Sequence, residues 1–192
     1  MKKSPIYRSL ILWICLLVSA CTNHEHTPKP RGYFRISFPE KSYHKADLPL
    51  PFSFEVADYS NVTTTNQTTN ESWVNVVTPG NKADLHITYA PLKGDLAKHI
   101  EDSRKLAYDH SIKAEAINEQ LFINPTERVY GTIYFIEGNA ASPLQFYLTD
   151  SNRHFLRGAM YIREIPNIDS IRPVIDFLKP DVIRLIETTR WK

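Results

Sequence analysis

The first 20 residues constrain most strongly what the rest of this chain can fold into, because they have the pattern of an export signal. Lys2, Lys3 and Arg8 form a short basic start, and the apolar run from Leu10 to Val18 carries no charge. A helix that spans a bilayer needs about 20 apolar residues. The run is shorter than that and fits the hydrophobic region of a secretory signal. The sequence therefore predicts an exported chain.

The residues that follow predict where the signal is cut. Val18, Ser19, Ala20 and Cys21 place an aliphatic residue and two small residues before a cysteine, which resembles the lipobox of bacterial lipoproteins. We expect cleavage before Cys21 and attachment of lipid to its thiol, which anchors the product to a membrane. Thr22 follows instead of aspartate, which favours the outer membrane, with the domain in the periplasm.

Removal of the signal changes what the composition implies. The full chain has 23 basic and 21 acidic residues; the signal holds three of the bases and no acid, so 20 bases remain against 21 acids, a net charge of −1. Such a surface has no electrostatic footprint for nucleic acid. Cys15 lies in the signal and Cys21 carries lipid, so disulfides, cysteine-based zinc sites and thiol catalysis are excluded from the mature domain. The fold must depend on its own hydrophobic core.

The polar, proline-containing residues 22–31 predict an extended tether between the lipidated Cys21 and a single domain at 32–192. Apolar and polar residues alternate in several runs after it, as a strand with one face on a core requires. These runs include Phe34–Phe38, Phe52–Val56, Trp73–Val77 and Leu85–Tyr89. The Thr- and Asn-rich segment from Ser60 to Ser72 lacks large apolar residues and predicts a mobile loop.

The second half of the chain predicts a helix, four strands and a final helix. Leu96, Ile100, Ser103 and Ala107 recur with helical spacing. Strands are expected at roughly 113–123, 128–136, 144–149 and 154–162, with short turns that imply antiparallel neighbours. A helix is expected from about Ile168, with Asn167 as N-cap and a kink or restart near Pro180.

These elements predict an α+β fold, in which an antiparallel sheet of about seven or eight strands packs with two main helices. The predicted order is four strands, a helix, four strands and a helix.

No catalytic or cofactor motif stands out. The chain contains no G-x-S-x-G, H-E-x-x-H, P-loop or G-x-G-x-x-G sequence, and has only six glycines. His99 and His110 would lie about 16 Å apart along one helix, too far to share a metal ion. His86 and His154 are interpreted as surface histidines. We therefore expect no catalytic residues, no metal site and no cofactor.

Two clusters have both a binding and a structural interpretation. Arg31, Tyr33 and Arg35 place bases and an aromatic residue where the tether meets the domain. They fit contact with a partner protein, although a solvated strand face explains them as well. The second cluster contains Arg153, Arg157 and Tyr161.

This second cluster fits an anionic ligand, or alternatively a charged edge strand that discourages aggregation. Tyr130, Tyr134 and Tyr147 fit a sugar-stacking ridge or packing beneath a helix.

Three segments resemble the gliding motility lipoprotein GldD family of the Bacteroidota: PKPRGYFRISFPE (28–40), HFLRGAMYI (154–162) and SIRPVIDFLKPDVIRLIETTRWK (170–192). The resemblance covers the lipobox and nearly the whole mature chain. It implies a cell-envelope lipoprotein of the gliding apparatus, with envelope proteins of gliding and type IX secretion as partners, and it supplies no catalytic residues. The element order is also similar to the PsbP/Mog1 type of fold.

The sequence thus favours a non-enzymatic, lipid-anchored component that assembles or contacts the gliding and secretion machinery. The alternative is a lipid-anchored module that binds a glycan or a small ligand in the cell envelope.

Overall fold

A computed structural model describes residues 36–66, 71–164 and 167–192. Its strands are β1 Tyr43–Lys45, β2 Phe52–Ser53, β3 Glu55–Ala57, β4 Asn61–Asn66, β5 Ser72–Thr78, β6 Ala83–Pro91, β7 Ala114–Asn124, β8 Val129–Gly138, β9 Leu144–Thr149, β10 His154–Ile162 and β11 Arg190–Trp191. The helices are α1 Leu96–Tyr108 and α2 Ile168–Glu187, with single 3-10 turns at Pro79–Asn81 and Asp109–Ile112.

Seven of these strands form one sheet in the order β4-β5-β6-β10-β9-β8-β7. Every neighbouring pair is antiparallel. Two small ladders, β1 with β3 and β2 with β11, lie outside this sheet. The predicted α+β class and the antiparallel sheet of about seven strands are therefore confirmed.

The two helices belong to different hydrophobic clusters because successive residues of a strand point to opposite faces. The larger cluster joins α2 to one face of the sheet and to buried residues between Ala46 and Val56. Its α2 members are Leu178, Val182, Leu185 and Ile186. The smaller cluster joins Ala107 of α1 to the other face, at Tyr134, Tyr147 and Phe155.

Most strands that alternate in sequence are confirmed. Leu85, Ile87 and Tyr89 are buried on β6, and the four strands after α1 lie within a few residues of their predicted bounds. Ser103 and Ala107 are buried on the predicted stripe of α1.

Three predictions in the first half are wrong. Asn61–Asn66 is an edge strand paired with β5 rather than part of a loop, since a polar strand with one neighbour needs no apolar alternation. Ile36 to Phe38 is not a strand; the rest of that predicted run lies outside the described residues. Phe52–Val56 is divided between β2 and β3, outside the main sheet.

The last helix starts where predicted but differs in detail. Asn167 occupies the N-cap position without a side-chain cap bond. The backbone N–H of Ile168 instead donates to Oδ1 of Asn139, at 2.9 Å. The helix continues through Pro180 without a break, so the expected restart is absent.

Candidate functional site

Arg157 and Tyr161 lie on β10, a central strand of the sheet. Arg157 is opposite Thr88 on β6 and Tyr147 on β9, and it therefore faces the side that carries α1. Tyr161 follows four residues later on the same face, as predicted. The interpretation of this segment as a charged edge is wrong, because β10 has a partner strand on each side.

The Arg157 guanidinium is bonded to an amide rather than to a carboxylate. Its Nη2 donates to Oε1 of Gln145 at 2.7 Å, and within the described residues no carboxylate lies within 4.0 Å of it. Burial lowers the pKa of Arg157 below its usual value. A half-buried cation without a counter-charge is costly unless another acceptor satisfies it.

Two further donors beside this bond have no acceptor among the residues that the structure describes. They are Nε of Arg157 and Nε2 of Gln145, both buried, and Gln145 as a whole is only 2% exposed. Buried donors are normally hydrogen-bonded. The arrangement therefore suits an acceptor such as a carboxylate, a phosphate oxygen or a carbonyl oxygen.

A groove of about 190 Å³ lies between α1 and the sheet next to Arg157. Its lining combines a cation, carboxylates and apolar side chains, among them Glu71, Thr88, Asp102, Ser103, Phe155 and Arg157. His99 also lines the groove and stacks on Phe155, with ring centroids 4.9 Å apart. This mixed lining can contact both the charged and the apolar parts of a small ligand.

Tyr161 packs against a histidine on the neighbouring strand. The ring centroids of Tyr161 and His86 are 5.5 Å apart. Nδ1 of His86 lies 2.6 Å from Oδ1 of Asn75, and His86 is exposed as predicted. Asn75, His86 and Tyr161 thus form a polar strip beside Arg157.

Arg153 does not join Arg157 and Tyr161. It lies in the turn before β10, its side chain is 70% exposed, and its Nε is 3.9 Å from the Asp150 carboxylate. Oδ1 of Asp150 accepts hydrogen bonds from the backbone N–H groups of Asn152, Arg153 and His154 at 3.0, 2.7 and 2.8 Å. Arg153 therefore belongs to a turn that Asp150 organises.

His154 is buried rather than on the surface, with 7% exposure. Its Nδ1 is 2.9 Å from the Tyr89 hydroxyl, and its ring stacks on Trp191 at 5.1 Å. Burial lowers the pKa of His154 below its usual value. The alternation of His154 with Leu156 and Met160 places it on the core face of β10, a signal that our interpretation missed.

A cluster around Asp181 of α2 was also missed. Oδ1 of Asp181 accepts from Lys41 Nζ at 2.6 Å and from the Tyr43 hydroxyl at 2.8 Å, and the Tyr59 hydroxyl donates to Oδ2. Burial, with the bond to Asp181 as a second cause, raises the pKa of Tyr43 to about 12 and that of Tyr59 further. We call these four residues the Asp181 cluster.

The other candidates cannot be placed. Cys21, Arg31, Tyr33 and Arg35 lie outside the described residues. Among residues 36–66, 71–164 and 167–192, no three His, Cys, Asp or Glu side chains converge as metal ligands. No helix in that part of the chain is both long enough and apolar enough to cross a membrane.

Comparison with models of known protein families gives a match that covers most of the chain. The family model described as "Gliding motility lipoprotein GldD" matches residues 23–191. The search of curated proteins finds no match. The family match covers nearly all residues after the signal. It includes β10, α2, the residues around Arg157 and the Asp181 cluster.

Proposed function

Because the chain belongs to the gliding motility lipoprotein GldD family, we propose that it is a non-enzymatic assembly component of the gliding motility and type IX secretion machinery. Membership implies a lipid-anchored protein of the cell envelope. The match over residues 23–191 carries the proposal. The partners it predicts are other envelope proteins of that machinery.

The anchor in this proposal is lipid on Cys21, which holds the protein on the outer membrane with its domain in the periplasm. Replacement of Cys21 by serine removes the thiol that would be acylated. We expect Cys21→Ser to lose palmitate labelling and detergent-phase partitioning, and to lose function. Unchanged labelling in this variant would contradict the assignment.

The Asp181 cluster supports a defined interaction surface near the start of the domain. Phe38 stacks on Phe177 of α2 with ring centroids 4.2 Å apart, and Lys41 binds Asp181 at 2.6 Å. The segment that enters the domain is thus bonded to the last helix. Residues 31–35 immediately precede this segment in sequence.

Within this proposal, Arg31, Tyr33 and Arg35 contact a partner protein, and the two arginines pair with its acidic groups. Reversal of both charges, by Arg31→Glu and Arg35→Glu, should impair colony spreading or secretion. Abundance, lipidation and melting temperature should stay near those of the parent protein. Lys98→Glu with Lys105→Glu is the matched control, since both lysines are exposed on α1 and the charge change is equal.

A second candidate function, the binding of a small anionic ligand, is favoured by the unpaired buried donors of Arg157 and Gln145. It predicts that Arg157→Gln and Tyr161→Phe abolish function without a change in melting temperature. If they do so while the doubly reversed Arg31 and Arg35 variant spreads and secretes normally, ligand binding replaces the interaction proposal. The melting curve of every variant is measured first, because an unfolded variant tests neither function.

A further inference from the structure

Strand β7 is an exposed edge of the sheet. It has eleven residues and pairs only with β8 among the described strands. Leu121 and Ile123 are 72% and 64% exposed. Leu121 and Ile123 follow Ile117 by four and six residues, so all three side chains point to the same face of the sheet. Ile117 packs with the hydrophobic cluster that contains α1, which identifies this face as the one that carries α1. A long edge strand with exposed aliphatic residues is a template for pairing with another strand.

The second half of β7 lacks the usual protection of an edge. Residues 120–124 (QLFIN) contain no charge and no proline. The irregularity in pairing with β8 lies at the other end, between Ala114 and Ala116. Among its described side chains the opposite edge, β4, has no such patch, since those exposed are Asn61, Thr63, Thr64 and Thr65.

We propose that β7 pairs antiparallel with β7 of a second copy of this chain, about a two-fold axis at Phe122. In this register Leu121 of each copy faces Ile123 of the other, and the four aliphatic side chains form one patch. Cross-strand pairs of this kind stabilise a sheet. Glu119 falls opposite Pro125, beyond the end of the partner strand.

Charge selects this register over the alternatives. A two-fold axis perpendicular to the sheet keeps the same face of both copies on one side. If the axis lay at any residue from Asn118 to Leu121, Glu119 would face either an aliphatic side chain or the second Glu119. An axis at Ile123 would leave only three residues of overlap. Among axis positions from Asn118 onward, Phe122 gives the longest overlap, residues 120–124, that keeps Glu119 out of the paired segment.

Membrane anchoring favours the pairing of two identical copies. Five paired residues in each strand form a smaller contact than the stable interfaces of soluble proteins. Two copies held on one membrane meet at a raised effective concentration, which strengthens a weak contact. The pairing is therefore to be tested on the membrane. It is independent of which machinery the protein serves.

The test is disulfide cross-linking of the full-length protein in its own membrane. Directly opposite residues of antiparallel strands have Cα atoms about 4.5–5.5 Å apart, within the range of a disulfide. Leu121→Cys combined with Ile123→Cys should give a cross-linked dimer on a non-reducing gel after addition of an oxidant. Thr63→Cys with Thr65→Cys is the matched control, with the same spacing on the opposite edge.

The expected result is a dimer in the β7 variant and none in the β4 control, with weaker cross-linking by either β7 cysteine alone. Equal cross-linking at both edges, or none at β7, would overturn the proposal. Cross-linking by Leu121→Cys alone as strongly as by the pair would refute the register. A cross-linked product that contains a different protein would refute the second copy as the occupant.

Discussion

Lys41 and Asp181 form an ion pair of 2.6 Å between residues that are 140 positions apart in the chain. Lys41 Nζ also donates to the carbonyl oxygen of Phe177 at 2.7 Å and lies 3.9 Å from the centroid of the Phe177 ring. One side chain thus contacts a carboxylate, a helix carbonyl and an aromatic face. Together these contacts bind the entry segment of the domain to α2.

Asp181→Ala should destabilise the fold by about 1–3 kcal/mol, because it leaves the Tyr43 and Tyr59 hydroxyls and the Lys41 ammonium without their shared acceptor. Urea unfolding measures the loss. Asp176→Ala on the same helix is the control, since Asp176 is exposed. Equal unfolding free energies for the two variants would show that the Asp181 cluster contributes nothing to stability.

Alkaline pH should weaken the fold through its tyrosines. The pKa values of Tyr43 and Tyr134 are raised to about 12, by burial in both cases and then by Asp181 and Glu119 respectively. Between about pH 10 and 12 the unfolded chain releases these protons while the folded chain keeps them. The stabilisation that depends on protonated Tyr43 and Tyr134 is therefore complete below pH 10, and it is lost as pH rises through this window.

Unfolding free energies at pH 9, 10 and 11, together with tyrosinate absorbance, measure this effect. Tyr134→Phe should reduce the slope of stability against pH, which separates the tyrosine contribution from that of the lysines. Complete ionisation of every tyrosine in the folded protein by pH 11 would contradict the prediction.

Local patterns predicted those strands that have one face on the core. Leu85, Ile87 and Tyr89 alternate because β6 is half-buried, and their pattern identified the strand. β4 was missed because its sequence, NVTTTN, offers the core only Val62, and backbone pairing with β5 defines it instead. Periodicity carries no signal for such a strand, but β-propensity does, because Val and Thr are β-branched residues that are enriched in strands; our interpretation missed this signal.

The candidate site was predicted only where it depends on local geometry. Arg157 and Tyr161 share a face because they are four residues apart on one strand. Arg153 was grouped with them wrongly, since the turn bonds of Asp150 hold it outside the strand. The Asp181 cluster was unpredictable because its contacts span 122 to 140 positions, a separation that no sequence period encodes.

The turn at Asp150 should make the fold sensitive to acid. Burial favours a higher pKa for this carboxyl, but the backbone N–H groups of His154, Arg153 and Asn152 together lower it below 3.8. The resulting stability is present above pH 3.8 and is lost as pH falls through the lower folded pKa. Asp150→Ala should cost about 1–3 kcal/mol at pH 7.

Asp150→Asn, which keeps an oxygen acceptor, should cost less than Asp150→Ala and should flatten the loss of stability below pH 4. Urea unfolding at pH 7 and pH 3 measures both effects. If the two variants are equally stable at pH 7, the backbone bonds to Asp150 do not hold the turn.

Two apolar residues on one face of α2, Ile175 and Leu178, should differ in their contribution to stability. The spacing of apolar residues along α2 predicts that Ile175 and Leu178 are both buried against the sheet; Leu178 is in the core, whereas Ile175 is only partly buried at its margin. Leu178→Ala should cost about 2–5 kcal/mol by loss of buried area and formation of a cavity. Ile175→Ala, measured in the same urea series, should cost clearly less; an equal cost would contradict the packing.

Substitution of Gly158 should destabilise the fold because the ring of Phe146 occupies the space that a Cβ atom would need. A Cβ atom on Gly158 would lie 2.3 Å from both Cε1 and Cζ of Phe146, a buried residue directly opposite on β9. Gly158→Ala should therefore cost about 1–3 kcal/mol, and Phe146→Leu should recover part of this cost. At Gly131 the Cβ would lie 1.9 Å from the backbone oxygen of Tyr147, which Phe146→Leu cannot relieve. Urea unfolding of the single and double variants gives the coupling; additive costs at Gly158 and Phe146 would show that the ring is not the obstacle.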